Sequence, residues 1–339
     1  MMLNKIFNGP SRSAKNALTM TLLEPSATKW IPPLFLGKKA VDRIRKAGIN
    51  KTANISDSLN TIDEFNNNYK LISADIDWNL YPDGIKIEKY KGRTYDAHIM
   101  LVNDPARLYL ALSSYSGFSE SVPGKRLHIM MEEEKASAGI NAGAFNDDGS
   151  AGAHVGSIPA GLIIHEGKVY SNTLKEMVPE QGFCGFNKDH ILIVASNMSE
   201  EEALEKNILE GCEFGPILIQ NNKINHSVYS GNSGYNPRTA IGQRKDGTVI
   251  LLCVDGRQAG SFGATYKDLI DIMTAYGAYN ALNLDGGSSS AMFYRDETGL
   301  YGERGHIEMI SSYSVMQSIP RRMPTFWMVK PLKGECHDK

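Results

Sequence analysis

The stretch from Asn236 to Ser290 decides the reading of this chain. It opens NPRTAIGQRKDGTVILLCVDGRQ (236–258) and closes NALNLDGGSSS (280–290). Thr239 to Arg244 alternates as a strand does, Lys245-Asp246-Gly247 is a tight turn, and Thr248 to Val254 is nearly continuous in apolar residues, the mark of a strand buried on both faces. Thr265 then caps a helix with Asp268 at its third position. Leu269, Ile270, Met273 and Tyr276 share one helical face, and Gly277 ends it. Asn280 to Leu284 is the next strand. The hairpin places Arg238 and Asp255 at one open end. The helix is long enough for a crossover, so strand 280–284 is expected to run parallel to strand 248–254, beside it or with one strand between. Arg238, Asp255 and Asp285 are therefore predicted to gather at one sheet edge.

Those residue types suit a particular chemistry. Two carboxylates can divide nucleophile, acid and base roles in glycoside cleavage. An arginine fork suits phosphate. Gly286 and Gly287 let backbone N–H groups approach a ligand, and Ser288 to Ser290 add hydroxyls. A departing phosphate needs little acid help, and Arg238 would neutralise its charge. Taken singly, each Asp-Gly pair is an ordinary turn and Arg238 could simply bridge to Asp255; it is the convergence of the three that carries the prediction.

Outward from that region, Pro32-Pro33 is a break and Lys38 to Gly48 reads as a short helix. Asn50 to Tyr69 is a polar linker, with a main domain from about Leu71 to residue 332 and residues 1–70 as an N-terminal helical and linker segment. His98 to Val102 and Arg107 to Leu112 flank an Asn-Asp-Pro turn. Lys125 to Ser137 looks helical. Leu162 to His165 and Lys168 to Ser171 form a hairpin around Glu166-Gly167. Ile191 to Ala195 is a strand, and Ser199 with Glu202 opens a helix expected to end near Gly211. Pro216 to Gln220 and Lys223 to Ser227 form another hairpin around Asn221-Asn222. The fold class expected is α+β or mixed α/β, with a mixed β-sheet core and crossover helices.

The 339 residues carry a net charge of -2, which offers no basic field for nucleic acid. The apolar stretch Ala17 to Leu23 is too short to span a membrane, and no signal peptide or transmembrane helix is read in this chain. The four cysteines, Cys184, Cys212, Cys253 and Cys336, show no CxxC spacing; one or two disulfides stay open. Cys253 reads as plain burial, and His154 and His165 as structural or solvent-facing. A second cluster, Asn141-Ala-Gly-Ala-Phe-Asn-Asp-Asp-Gly149, reads first as a loop. Its Asp147 and Asp148 are oxygen ligands of the kind calcium takes, but the spacing is no EF-hand, so no cofactor is assigned.

At these residues the chain resembles the phosphodiester glycosidase family. The blocks that carry the likeness are Asn141-Ala-Gly-Ala-Phe, Gly161 with its strand, Phe214-Gly-Pro-Ile-Leu-Ile, Asn236-Pro-Arg-Thr-Ala-Ile-Gly, Val254-Asp-Gly-Arg-Gln and Leu282-Asn-Leu-Asp-Gly-Gly-Ser-Ser-Ser. Each is weak alone; six in order, over roughly residues 90 to 330, are specific. Two places depart from the family pattern: Ala144 stands where a large aromatic is common, and Arg321-Arg322-Met-Pro-Thr replaces an Arg-x-x-x-Asn-like block. The resemblance implies a hydrolase of an N-acetylglucosamine-type sugar phosphodiester and an extracytoplasmic or cell-surface setting. It also implies a site lined by Asn141, Gly143, Arg238, Thr239, Asp255, Arg257, Asp285, Gly286, Gly287, Ser288 and Ser289. Asp285 is the first choice for nucleophile or base and Asp255 the second. Two other readings stand beside it: a non-catalytic glycan-binding module, and a metal-dependent phosphodiesterase using Asp147, Asp148, Asp255 and Asp285.

Overall fold

The computed structural model describes residues 7, 9, 11–24, 28–48, 76–146, 155–231, 233–313 and 321–332. The linker 50–69, Asp147, Asp148, His154 and Cys336 lie outside them. Among the described residues the chain is α+β, with three antiparallel sheets and seven α-helices.

Three helices come first: α1 (Arg12–Leu23), α2 (Ile31–Leu36) and α3 (Lys38–Gly48). No described helix is long and apolar enough to cross a membrane. Then follow β1 (Ile85–Lys91), β2 (Asp96–Val102), β3 (Leu108–Leu112), α4 (Leu127–Glu134), β4 (Ala138–Asn141), β5 (Gly161–His165), β6 (Lys168–Thr173), β7 (Gly182–Asn187) and β8 (Leu192–Ser196). The chain continues through α5 (Glu200–Glu205), β9 (Ile208–Phe214), β10 (Ile217–Gln220), β11 (Lys223–Ile224), α6 (His226–Ser230), β12 (Arg238–Arg244), β13 (Val249–Val254), α7 (Tyr266–Ala275), β14 (Ala278–Leu284), β15 (Met292–Arg295), β16 (Ile307–Met309) and β17 (Thr325–Val329).

The first sheet has the order β1-β2-β13-β12-β14-β10-β11, the second β16-β15-β4-β17-β3, and the third β6-β5-β9-β7-β8. Their inner faces meet in one core. Met100, Ile241 and Leu251 come from the first sheet, Leu110, Ile140 and Trp327 from the second, and Ile163, Phe186 and Cys212 from the third. Each outer face is covered by a helix. Leu269, Ile270 and Met273 of α7 pack on the first sheet, Leu127, Met130 and Met131 of α4 on the second, and Ala203 of α5 on the third. The apolar periodicity of α7 and the continuous apolar run of β13 follow from these positions.

The expected mixed sheet is corrected. β13 and β14 do run in the same direction, but β12 lies between them and pairs antiparallel with both: Arg238 faces Val254 on one side and Thr239 faces Leu284 on the other. The tight turn at 245–247 folds β13 back on β12, and the α7 crossover then delivers β14 to the free edge of β12. No parallel pair forms among the described residues. The helix opened by Ser199 is corrected too. It has the expected capping box but ends at Glu205, because Asn207 turns into the left-handed region (φ 53°) and Ile208 begins β9. The hairpin turns at Glu166-Gly167 and Asn221-Asn222 all take positive φ, as two-residue turns of this kind require. Cys184, Cys212 and Cys253 are buried free thiols.

Candidate active site

Arg238 is the first residue of β12 and is 5% exposed. Its guanidinium lies over the Tyr266 ring, 4.2 Å from the centroid. Nε donates to the Ala264 carbonyl at 3.3 Å and Nη2 to the Gly234 carbonyl at 2.9 Å. The same Nη2 donates to Glu24 Oε2 at 2.8 Å. Burial opposes the charge of Arg238, but Glu24 and then Tyr266 outweigh it and hold the guanidinium above its usual range. Burial pushes the Tyr266 phenol up.

Glu24 follows directly on α1, and its carboxylate is an anion seated in this site. It also accepts from Asn236 Nδ2 and from the Gly234 N–H at 3.0 Å. One turn back, Thr21 Oγ1 accepts from the Tyr235 N–H at 3.0 Å. The approach is close enough that a Cβ on Gly234 would stand 2.6 Å from the Thr21 backbone.

Arg257 completes the cation pair. Its Nη2 donates to Asn236 Oδ1 at 3.1 Å, and its own backbone is held at φ 57°. Burial, and next the charge of Arg238, pull its guanidinium below the usual range; Glu24 and Asp285 act the other way. Two guanidiniums thus face two carboxylates. Without Glu24 the remaining three groups, Arg238, Arg257 and Asp285, carry one net positive charge.

Asp285 ends β14. Its N–H donates to the Ala142 carbonyl at 3.1 Å and its carbonyl accepts from Asn141 Nδ2 at 2.6 Å, while Oδ1 accepts from the Gly286 N–H at 2.8 Å. Both glycines of the loop are required. A Cβ on Gly286 would stand 2.9 Å from the Pro237 carbonyl oxygen, and one on Gly287, at φ 64°, 3.1 Å from Arg257 Nη2. Ser289 is buried under the loop, and Ser288 is half-buried.

The structure therefore brings together Arg238, Arg257, Asp285, Gly286 and Gly287. It places four other expected residues elsewhere. Asn141 and Thr239 are fully buried behind the loop: Thr239 Oγ1 donates to Asn141 Oδ1 at 2.8 Å, and that oxygen also accepts from the Ala291 N–H at 3.1 Å. Gly143 lies against Cys212, with its N–H on Thr325 Oγ1 at 3.2 Å. Asp255 stands at the same sheet end by register, but its carboxylate points to His98 Nε2, 2.9 Å away, and to the Ser312 N–H, 2.7 Å away. Glu24, Asn236, Tyr266 and His98 were not among the expected site residues. Asn236 stood within a quoted block. Glu24 and His98 lie 214 and 157 residues from their partners, beyond any local signal. Among the described residues no three His, Cys, Asp or Glu side chains converge as a metal would need.

Comparison with known proteins agrees with this architecture. The zebrafish N-acetylglucosamine-1-phosphodiester alpha-N-acetylglucosaminidase catalytic domain, described as auto-inhibited by pro-peptide, superposes with a TM-score of 0.56 at 21% identity, covering 73% of this chain and 82% of that one. A hypothetical protein from Synechocystis gives 0.50 at 14% identity, covering 73% and 62%. At such identities these likenesses show the fold alone. The SPbeta prophage-derived uncharacterized protein YomE of Bacillus subtilis (strain 168) is 28% identical over 166 residues, 48% of this chain but only 24% of that relative's length. The model of the phosphodiester glycosidase family matches residues 134–330, more than half of the chain, which therefore belongs to that family.

Proposed function

We propose that the protein is a hydrolase that cuts the sugar C–O bond of a glycosyl 1-phosphodiester of N-acetylglucosamine type, the other ester being to a glycan or envelope polymer. The observation that supports this most is the Glu24 carboxylate. An anion of one charge, hydrogen-bonded by Arg238, Asn236 and the Gly234 N–H, supports a seat for a singly charged phosphodiester on the same donors. Glu24 is then an occupant that substrate must displace.

The chemistry follows from charge. When the anomeric C1–O bond breaks, its electron pair stays with the phosphate, which leaves as a monoester of charge near -2. The second phosphate pKa is about 6, so no acid need protonate it near neutral pH. Arg238 and Arg257 stabilise the second charge as it develops. Asp285 adds to C1 as nucleophile, and water then attacks C1 of the glycosyl ester to free the sugar and the carboxylate; or Asp285 takes the proton of a water that attacks C1 directly. The Gly286-Gly287 turn lets the chain pass close under the phosphate.

Hydrolysis of the methyl diester of N-acetylglucosamine 1-phosphate in ¹⁸O water, with and without chelator, tests this reading. Label in the free sugar, unaffected by chelator, is the result expected. Label in the phosphate, lost with chelator, would replace it with a metal-dependent phosphodiesterase. Saturable sugar binding without product would leave a glycan-binding module.

A further inference from the structure

We infer that His98 is a positioning residue: paired to Asp255, it anchors the loop that carries Arg257, and Asp255 serves as that anchor rather than as a second reacting carboxylate. The inference rests on the proposed reading of the site.

Every polar atom of Asp255 is committed within the fold. Its N–H donates to the Asp96 carbonyl at 2.9 Å, and its carbonyl accepts from Ser261 Oγ at 2.6 Å. Oδ1 accepts from the Ser312 N–H at 2.7 Å and Oδ2 meets His98 Nε2 at 2.9 Å. The residue is 6% exposed. These four bonds join β2, the 258–261 turn and the segment after β16. A carboxylate that attacks C1, or draws a proton from water, must present an oxygen to the substrate, and this one faces inward.

What Asp255 holds is the start of the Arg257 loop. Arg257, two residues on, has φ 57°, a left-handed conformation that a non-glycine residue keeps only when its surroundings over-determine it. The loop is pinned at its far end, where the Phe262 N–H donates to the Thr94 carbonyl at 2.7 Å, and across its middle by the Gln258–Ser261 turn. Asp255 pins its near end, and His98 fixes the direction of the Asp255 carboxylate.

His98 has a cost that points the same way. It lies on β2 opposite Cys253, is 5% exposed, and its Nδ1 is buried with no hydrogen-bond partner among the described residues. An apolar side chain would fill that place without an orphaned nitrogen. The imidazole contributes through its one bond to Asp255, so removing that bond should disturb what Asp255 positions.

The test uses the full chain with Glu24→Ala, so that the anion site is open, and compares His98→Leu, His98→Gln, Asp255→Asn and Asp285→Asn. Glutamine can present its amide N–H where His98 Nε2 stands; leucine cannot. Losing one charge-assisted bond should weaken inorganic phosphate binding in His98→Leu by about tenfold or more, and His98→Gln should recover most of it. On the methyl diester, His98→Leu should raise KM far more than it lowers kcat. Asp255→Asn should keep kcat within about tenfold, whereas loss of a reacting carboxylate costs about a thousandfold or more. His98→Leu binding phosphate as the parent does, or Asp255→Asn losing kcat as Asp285→Asn does while still folded, would overturn the inference. If the parent turns over no diester, the functional reading fails, and phosphate binding by the His98 variants still decides the positioning role. Should His98→Leu not fold, kcat of Asp255→Asn decides it.

Discussion

Displacing Glu24 should switch the site on. Its carboxylate receives three hydrogen bonds, one of them from Arg238 at 2.8 Å, and its side chain is 27% exposed. A buried charge-assisted bond contributes about 1.5–3 kcal/mol, and an exposed ion pair about 0.2–1 kcal/mol. With partial exposure and three donors, the docking contribution comes to about 2–3 kcal/mol. Removing it shifts the balance between closed and open sites by roughly 30- to 150-fold. If the closed form dominates, kcat/KM is reduced by the open fraction, so Glu24→Ala should raise it by up to that factor. Gly234→Ala checks the same idea without touching a charge. Its backbone is not in the left-handed region, so alanine is allowed there, yet the new Cβ would meet the Thr21 backbone at 2.6 Å and push α1 away. The assay is initial-rate hydrolysis of the methyl diester by the full chain, with circular dichroism to establish folding. Both variants should gain activity. A folded pair with unchanged or lower kcat/KM would refute the occlusion by Glu24.

Asp285→Asn should abolish turnover and leave the melting temperature nearly unchanged; wild-type activity would remove Asp285 from the chemistry. Asn141→Ala deletes a buried amide that bonds Asp285, Thr239 and Ala291, which should cost about 2–4 kcal/mol and lower the melting temperature by about 3–6 °C in scanning calorimetry. A loss below the scatter of the scan would refute that role. Burial works against protonation of His165, but its bond to Glu210 Oε2 at 3.0 Å and the charge of Glu210 outweigh it and raise its pKa. A raised histidine stabilises the fold fully below its unfolded pKa of about 6.5 and loses that contribution as pH rises through the higher folded value. The melting gap between wild type and His165→Gln should therefore be widest at acidic pH and close as pH rises; a gap that widens with pH would count against it.

Much of the site was legible because it is built from local signals. Counting residues either side of Lys245-Asp246-Gly247 places Arg238 opposite Val254, one residue from Asp255. Thr265 with Asp268, and Ser199 with Glu202, both form the capping boxes expected of them. What could not be read depends on distant partners. Nothing near β12 says that it pairs on both sides, so the mixed sheet was the natural expectation. Ile208 to Phe214 follows a helix start and can be taken for its continuation until Asn207 is seen to turn left-handed. Side-chain direction was equally hidden. Register brings Asp255 to the sheet end, but only the placement of β2 shows that His98 claims its carboxylate. Asn141 stands in a family block, yet it is an interior strut rather than a wall of the site.

One consequence follows from the path of residues 285–291. This short segment leaves the first sheet at Asp285 and enters the second at Met292, and Asn141 of β4 ties it to Thr239 of β12 from below. The join between two sheets and the proposed reaction centre are the same few residues. Substitutions selected to retune activity here would also loosen the seam, so gains in function would trade against thermal tolerance at these positions.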